Sequence, residues 1–250
     1  MFDIYSIGKY SINALKDHNN YCPLIVNKES GPEDYENNYI HTKTENNDVI
    51  IFTEICEDLN GVLLRLLENY NGKKYVVLLL KNTGNLKESH KNNQNIFSHI
   101  LQEYTRSGLI DRIFLLSLNR IIEKLNTNIF QIDAAMNVFI INVLSLLMFV
   151  EYGEPVFGKS FETEIVDRIS TIGFCNDGIV SYLYDFETMK MEHHYVVLIN
   201  EKDPSSNNII QSMDNVVRTK EYSSYEIHST EDESTTFVIG STNVIQQIEI

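Results

Sequence analysis

The sequence predicts an α/β fold: a Rossmann-like, mostly parallel sheet, then a long central core helix, then a smaller α+β domain. Three observations carry this expectation. Short, continuously apolar runs alternate with helical patterns through the first half of the chain, the signature of a parallel sheet covered by helices. One long apolar run, AMNVFIINVLSLLMFV, spans Ala135 to Val150. Beyond Gly153 the order changes to a smaller set of β-rich runs with one capped helix between them.

The elements follow in order. FDIYSI, CPLIV, DVIIFT, YVVLLL and DRIFLLS are strands of the kind buried on both faces. Between them, INALKDH, the amphipathic NGVLLRLLENY, and NIFSHILQEYTRSG ending at Gly108 read as helices. The segments Glu29 to Asn47 and Thr83 to Asn95 are rich in Asn and Lys and read as solvated connections. A helix from about Ile132 to Glu151 is apolar all round, which predicts burial on all sides. The second half then predicts a helix over FETEIVDRISTIG, strands over GIVSYLYDF and HYVVLIN, and a helix over SSNNIIQSMDNVVRTK. Two β-runs, YSSYEIHS and TTFVIGS, close the chain across the acidic turn TEDES and are expected to pair. The divisions expected are residues 1–128, 129–152 and 153–250.

Composition narrows the function. A hydrophobic fraction of 43% supplies a core, and a net charge of −15 excludes the basic footprint of a nucleic-acid binder. Cys22, Cys56 and Cys175 are odd in number and widely spaced, which suits a reducing compartment, and no metal site is expected. MFDIYSIGKY carries an acid at position 3 and continues like a strand, so a secretory leader is not expected and the cytoplasm is. The apolar run falls short of the ~20 residues of a membrane span, and Asn137, Asn142 and Ser145 interrupt it.

The chain also resembles the tubulin/FtsZ superfamily in strongly diverged form. YSIGKYSINALKDH looks like that family's first phosphate loop and helix, and CPLIVNKES like its second strand. DRIFLLSLNRIIEK and IDAAMNVFIINVL are similar to the later strand and the start of its core helix. FETEIVDRISTIG is similar to the helix after the loop that reaches a neighbouring subunit's nucleotide, and HYVVLINEKDPSSNNIIQSMDNVV to the strand–turn–helix of the activation domain. The resemblance lies in the shared order of these segments over nearly the whole chain. It implies a nucleotide site at Gly8, Asn13, Asn27, Thr53, Gly61 and Asn137, and hydrolytic acids near Glu162 and Glu164.

The departures from the family pattern concern chemistry. Glycine turns let backbone N–H groups approach phosphates closely. Here only Gly8 of the first run remains, and EICEDLNG stands where the family has GGGTGTG. Glu54, Glu57 and Asp58 would face polyphosphate; two like charges about 4 Å apart repel by ~4 kcal/mol at an effective dielectric of ~20. Acids in the first turn of the next helix, stabilising its dipole, are the simpler expectation. Ile132 and Met136 stand at the base-reading positions of the core helix.

GEPVFGKS, Gly153 to Ser160, matches the phosphate-loop pattern. Pro155 removes an N–H, Phe157 is bulky and Glu154 is acidic, so the match is expected to be accidental. His193-His194 reads as a strand-edge pair with one ring exposed, without an acid cluster to complete a site. The function expected is that of a degenerate tubulin/FtsZ-like protein acting through a protein partner, itself or a related filament, with no cofactor and no ordinary GTPase activity. Two alternatives stay open: a divergent polymerising GTPase using GTP with Mg, and a P-loop NTPase using Lys159 and Ser160.

Overall fold

The computed structural model describes residues 2–7, 24–26, 48–55, 60–81, 87–126, 131–161, 168–176, 179–186, 190–200, 202, 206–219, 222–231 and 234–242. The chain forms two compact units, one within Met1–Ile141 and one within Asn142–Val244.

In the first unit five strands form a parallel sheet in the order β2-β1-β3-β4-β5. They are β1 (Phe2–Ile7), β2 (Leu24–Val26), β3 (Asp48–Glu54), β4 (Lys74–Leu80) and β5 (Arg112–Ser117). Ile50 pairs with Ile4 on one side and Tyr75 on the other, and Val77 pairs with Phe114. Val49 to Phe52 and Val76 to Leu79 are fully buried, as apolar strands covered on both faces must be. All five strands lie where the sequence placed them.

Helices α1 (Asn60–Asn69), α2 (Glu88–Arg106) and α3 (Leu118–Leu125) belong to this unit. On α1, Val62, Leu63, Leu66 and Leu67 are buried while Gly61, Arg65 and Glu68 are exposed, a single apolar stripe. α2 ends before Gly108, whose φ of 81° closes the turn. It begins at Glu88, inside the segment expected to be a solvated connection. Glu88 complements the helix dipole, and Gln94 is buried, so tertiary burial extends the helix past its poor local propensity. α3 is capped by the Ser117 hydroxyl, which accepts from the Arg120 N–H at 3.5 Å.

The long helix α4 (Ile132–Tyr152) is present, and Met136, Phe139, Ile140, Val143, Leu144, Leu146 and Leu147 are buried. Burial on all sides is not found: Val138 is 60% exposed and Tyr152 47%. The part Ala134–Tyr152 is long and apolar enough to cross a membrane by length and composition alone, so the expectation that it falls short does not hold. Its buried stripe is that of a core helix.

The second unit holds a mixed sheet running β7-β11-β9-β10-β6, with β8 paired to β7. These are β6 (Phe157–Gly158), β7 (Ile169–Asn176), β8 (Ile179–Tyr182), β9 (Met191–Asn200), β10 (Ser223–Thr230) and β11 (Thr235–Thr242). The stretch Ile169–Gly173, expected as the end of a helix, is strand. Ile169, Thr171 and Ile172 are β-branched and buried, which favours a pleated surface over a helix. The smaller sheet therefore begins well before Gly178, where it was expected to start. The two closing β-runs do not pair with each other. β9 lies between them, parallel to β10 and antiparallel to β11. Parallel β9 and β10 need a crossover, and helix α5 (Ser206–Thr219) supplies it. Met213 of α5 packs with Tyr195, Val197, Ile199, Ile227 and Val238 of the sheet.

Candidate functional site

Ligands of open parallel sheets gather at the carboxyl ends of the strands. In the first unit that edge is formed by Ile7, Glu54, Leu80 and Ser117. Thr53 is buried, and its hydroxyl donates to the Glu54 carbonyl at 3.1 Å. Glu54 was expected in a loop or a helix's first turn. It is the last residue of β3, 2% exposed, and its carboxylate accepts an ion pair from Lys81 at 2.9 Å. The register carries this: Glu54 lies opposite Leu79 on β4, and Lys81 follows two residues on. The first turn of α1 as described contains no acid; Glu57 and Asp58, on which the dipole-stabilising expectation also rested, lie outside the described residues. Gly61 stands in that first turn, and an added Cβ would meet nothing within 4 Å.

On α4, Met136 is fully buried and Ile132 half-buried. The Asn137 Oδ1 is buried with no hydrogen-bond partner among the described residues. Gly8, Asn13, Asn27, Glu57, Asp58, Glu162 and Glu164 lie outside the described residues.

The segment GEPVFGKS does not make a phosphate nest. A working phosphate loop joins a strand to a helix and turns its N–H groups inward. This one follows α4, and three of its donors are already used within the second unit. Gly153 N donates to the Phe149 carbonyl at 2.8 Å, Val156 N to the Ile227 carbonyl at 2.7 Å, and Lys159 N to the Tyr225 carbonyl at 2.9 Å. Phe157 and Gly158 pair antiparallel with Ile227 and Glu226. Gly158 has φ of 92°, and a Cβ there would come 2.2 Å from the Tyr225 carbonyl oxygen. The glycine serves a strand pairing rather than a phosphate.

Beside this segment lies a cluster that sequence reasoning missed. His194 is buried in a central strand rather than exposed at a sheet edge, and an acid does accompany it. Glu226 Oε1 lies 3.6 Å from His194 Nε2 and 3.4 Å from His228 Nε2, with all three residues at least nine-tenths buried. These separations exceed hydrogen-bond lengths. Burial pushes the Glu226 carboxyl up, but the facing imidazoles outweigh it and hold the group below the usual carboxylate range. The other carboxylate oxygen accepts the Phe161 N–H at 3.2 Å. Phe161 lies against His194 with ring centroids 4.6 Å apart and the rings tilted by 36°, and Phe149 lies 5.4 Å from His228. Among the described residues no group of three His, Cys, Asp or Glu is arranged to hold a metal ion. The one signal available was alternation, since Ser224, Glu226 and His228 share a face of YSSYEIHS. Their partner on β9 is a non-local neighbour.

No family model and no curated protein matches the sequence. Solved structures do match. An FtsZ dimer structure from M. jannaschii superposes with a TM-score of 0.63 at 12% identity, covering 97% of this chain and 88% of that one. A GTPγS-form protofilament of TubZ from Bacillus thuringiensis serovar israelensis gives 0.59 at 13%, covering 97% and 86%. CetZ from Methanosaeta thermophila gives 0.64 at 10%, covering 98% and 87%. The order of elements, the long central helix and these superpositions agree: the chain has the tubulin/FtsZ-superfamily fold.

Proposed function

We propose that this chain is a degenerate tubulin/FtsZ-like protein that works in the cytoplasm through protein–protein contacts, joining or regulating a filament, without ordinary GTP hydrolysis. The observation that carries this reading is the Glu54–Lys81 pair at the carboxyl edge of the parallel sheet. A triphosphate at such an edge draws on backbone donors and positive charge. Here the strand ends in a buried carboxylate that already occupies the nearest lysine, and EICEDLNG supplies side chains where glycines would admit phosphate. The described residues do not fit the nucleotide, and no hydrolytic step is derived from them. The filament partner is supported by the neighbours, which include a protofilament of TubZ and an FtsZ dimer.

A second reading, a divergent polymerising GTPase, is favoured by one observation, the unpartnered Asn137 Oδ1 on the core helix. Calorimetric titration with GTP, with and without magnesium, separates the two. Binding in neither buffer, together with concentration-dependent sedimentation of the protein alone or with a related filament, is the outcome expected of the first. Saturable binding with hydrolysis belongs to the second.

A further inference from the structure

Ser224 on β10 and His194 on β9 are register partners in the parallel ladder. Ser224 Oγ lies 2.7 Å from His194 Nδ1. With Nδ1 accepting the serine proton, Nε2 carries the ring hydrogen and faces Glu226 Oε1 at 3.6 Å. The three groups thus stand in the order hydroxyl, imidazole, buried carboxylate. Ser224 is half-buried and, with His194, lines a cavity of about 210 Å³ to which Phe161, His193, Ser223 and Ser241 also contribute.

We propose that Ser224, His194 and Glu226 form a nucleophilic serine site that accepts the acyl group of small carboxylic esters. A nucleophile is recognised by a base within hydrogen-bond reach and a third group that orients the base. His194 is the base and Glu226 the positioning residue. Ser224 Oγ attacks the ester carbonyl while its proton passes to His194 Nδ1. The C–O bond to the alcohol breaks, the alcohol leaves with that proton, and acyl-Ser224 remains. Water then attacks the acyl group, giving its proton to His194 and releasing the carboxylic acid as the serine is restored. The long His194–Glu226 separation shortens when the ring becomes cationic, as such contacts do on the way to a charged state. The small cavity, below the roughly 300 Å³ of drug-sized pockets, restricts the acyl group to a short one. This site is independent of the nucleotide edge, so its failure leaves the proposed function untouched.

The test is labelling of the full chain by a small fluorophosphonate, mapped by peptide mass spectrometry, alongside turnover of p-nitrophenyl acetate. Modification of Ser224 in folded protein, lost in Ser224→Ala and kept in Ser181→Ala on exposed β8, is expected. In His194→Gln of native circular dichroism, labelling should slow by about a hundredfold or more, the usual worth of a general base. If that variant unfolds, the wild-type labelling rate decides: it should rise with pH along one titration. Ser224 modified no faster than in heat-denatured protein, at a rate indifferent to pH or to the folded His194→Gln change, would overturn the proposal.

Discussion

Glu54 and Lys81 meet at 2.9 Å, the acid 2% exposed and the lysine 43%. A carboxylate so buried depends on its ion-pair partner, because the lysine offsets much of the carboxylate's desolvation cost. Lys81→Met should therefore destabilise the protein by about 1–3 kcal/mol, the half-exposed lysine keeping the figure below that of a fully buried pair. Urea denaturation at neutral pH measures it. The double variant Glu54→Gln/Lys81→Met should recover part of the loss.

Gly158 and Lys159 are adjacent in the phosphate-loop pattern and should respond oppositely. Gly158→Ala places a Cβ against the Tyr225 carbonyl at positive φ and should cost at least about 2 kcal/mol. Amide exchange at Val156 and Lys159 should speed up with it. Lys159→Ala, at an exposed position, should stay within about 0.5 kcal/mol. The reverse pattern would restore a functional role to the motif.

Gly240 and Gly173 accommodate the Tyr182 ring, which also hydrogen-bonds His193. An alanine Cβ at position 240 would lie 2.8 Å from Tyr182 Cε1. Gly240→Ala should cost about 1–3 kcal/mol through overpacking, and Gly240→Ala/Tyr182→Ala should cost less than the sum of the single changes. Thermal unfolding of the three variants checks this.

Because the two facing histidines hold Glu226 below the carboxylate value of 4.5, its contribution to stability is fully present above that pH. It is lost as pH falls through the lowered native value, where the folded carboxylate takes up its proton. Glu226→Gln should be less stable than wild type at neutral pH. It should also show a shallower loss of stability below about pH 4.5, the unfolded carboxylate range. Urea midpoints collected from pH 3 to 7 provide the comparison.

Much of the architecture was legible because its signals were local. The five parallel strands announced themselves as continuous apolar runs, α1 as an amphipathic stripe and α5 as a helix opening at its serine cap. Misreadings arose where a distant partner decided the outcome. Ile169–Gly173 became strand because it pairs with β11, and α2 lengthened because Gln94 found burial. β9 separates β10 from β11, which adjacency in sequence cannot reveal. The same holds for the sites: Thr53, Glu54, Gly61 and Asn137 were named from the family resemblance, but the Lys81 pairing was invisible. His194 was read without Glu226 because 30 positions of chain separate register partners in the ladder, and Glu226 lies two residues beyond Ser224, the partner of His194.

The central claim, that the nucleotide site has eroded, is tested most directly by titrating the purified chain with GTP by calorimetry in buffers with and without magnesium. Micromolar affinity requires about −8 kcal/mol, much of it from backbone donors at glycine turns. This chain offers Gly8 alone in the first turn and EICEDLNG in the second. Flat titrations in both buffers are the predicted result. Saturable micromolar binding in magnesium, abolished by Glu57→Ala or Asp58→Ala, would contradict it and show a rebuilt site in place of an eroded one.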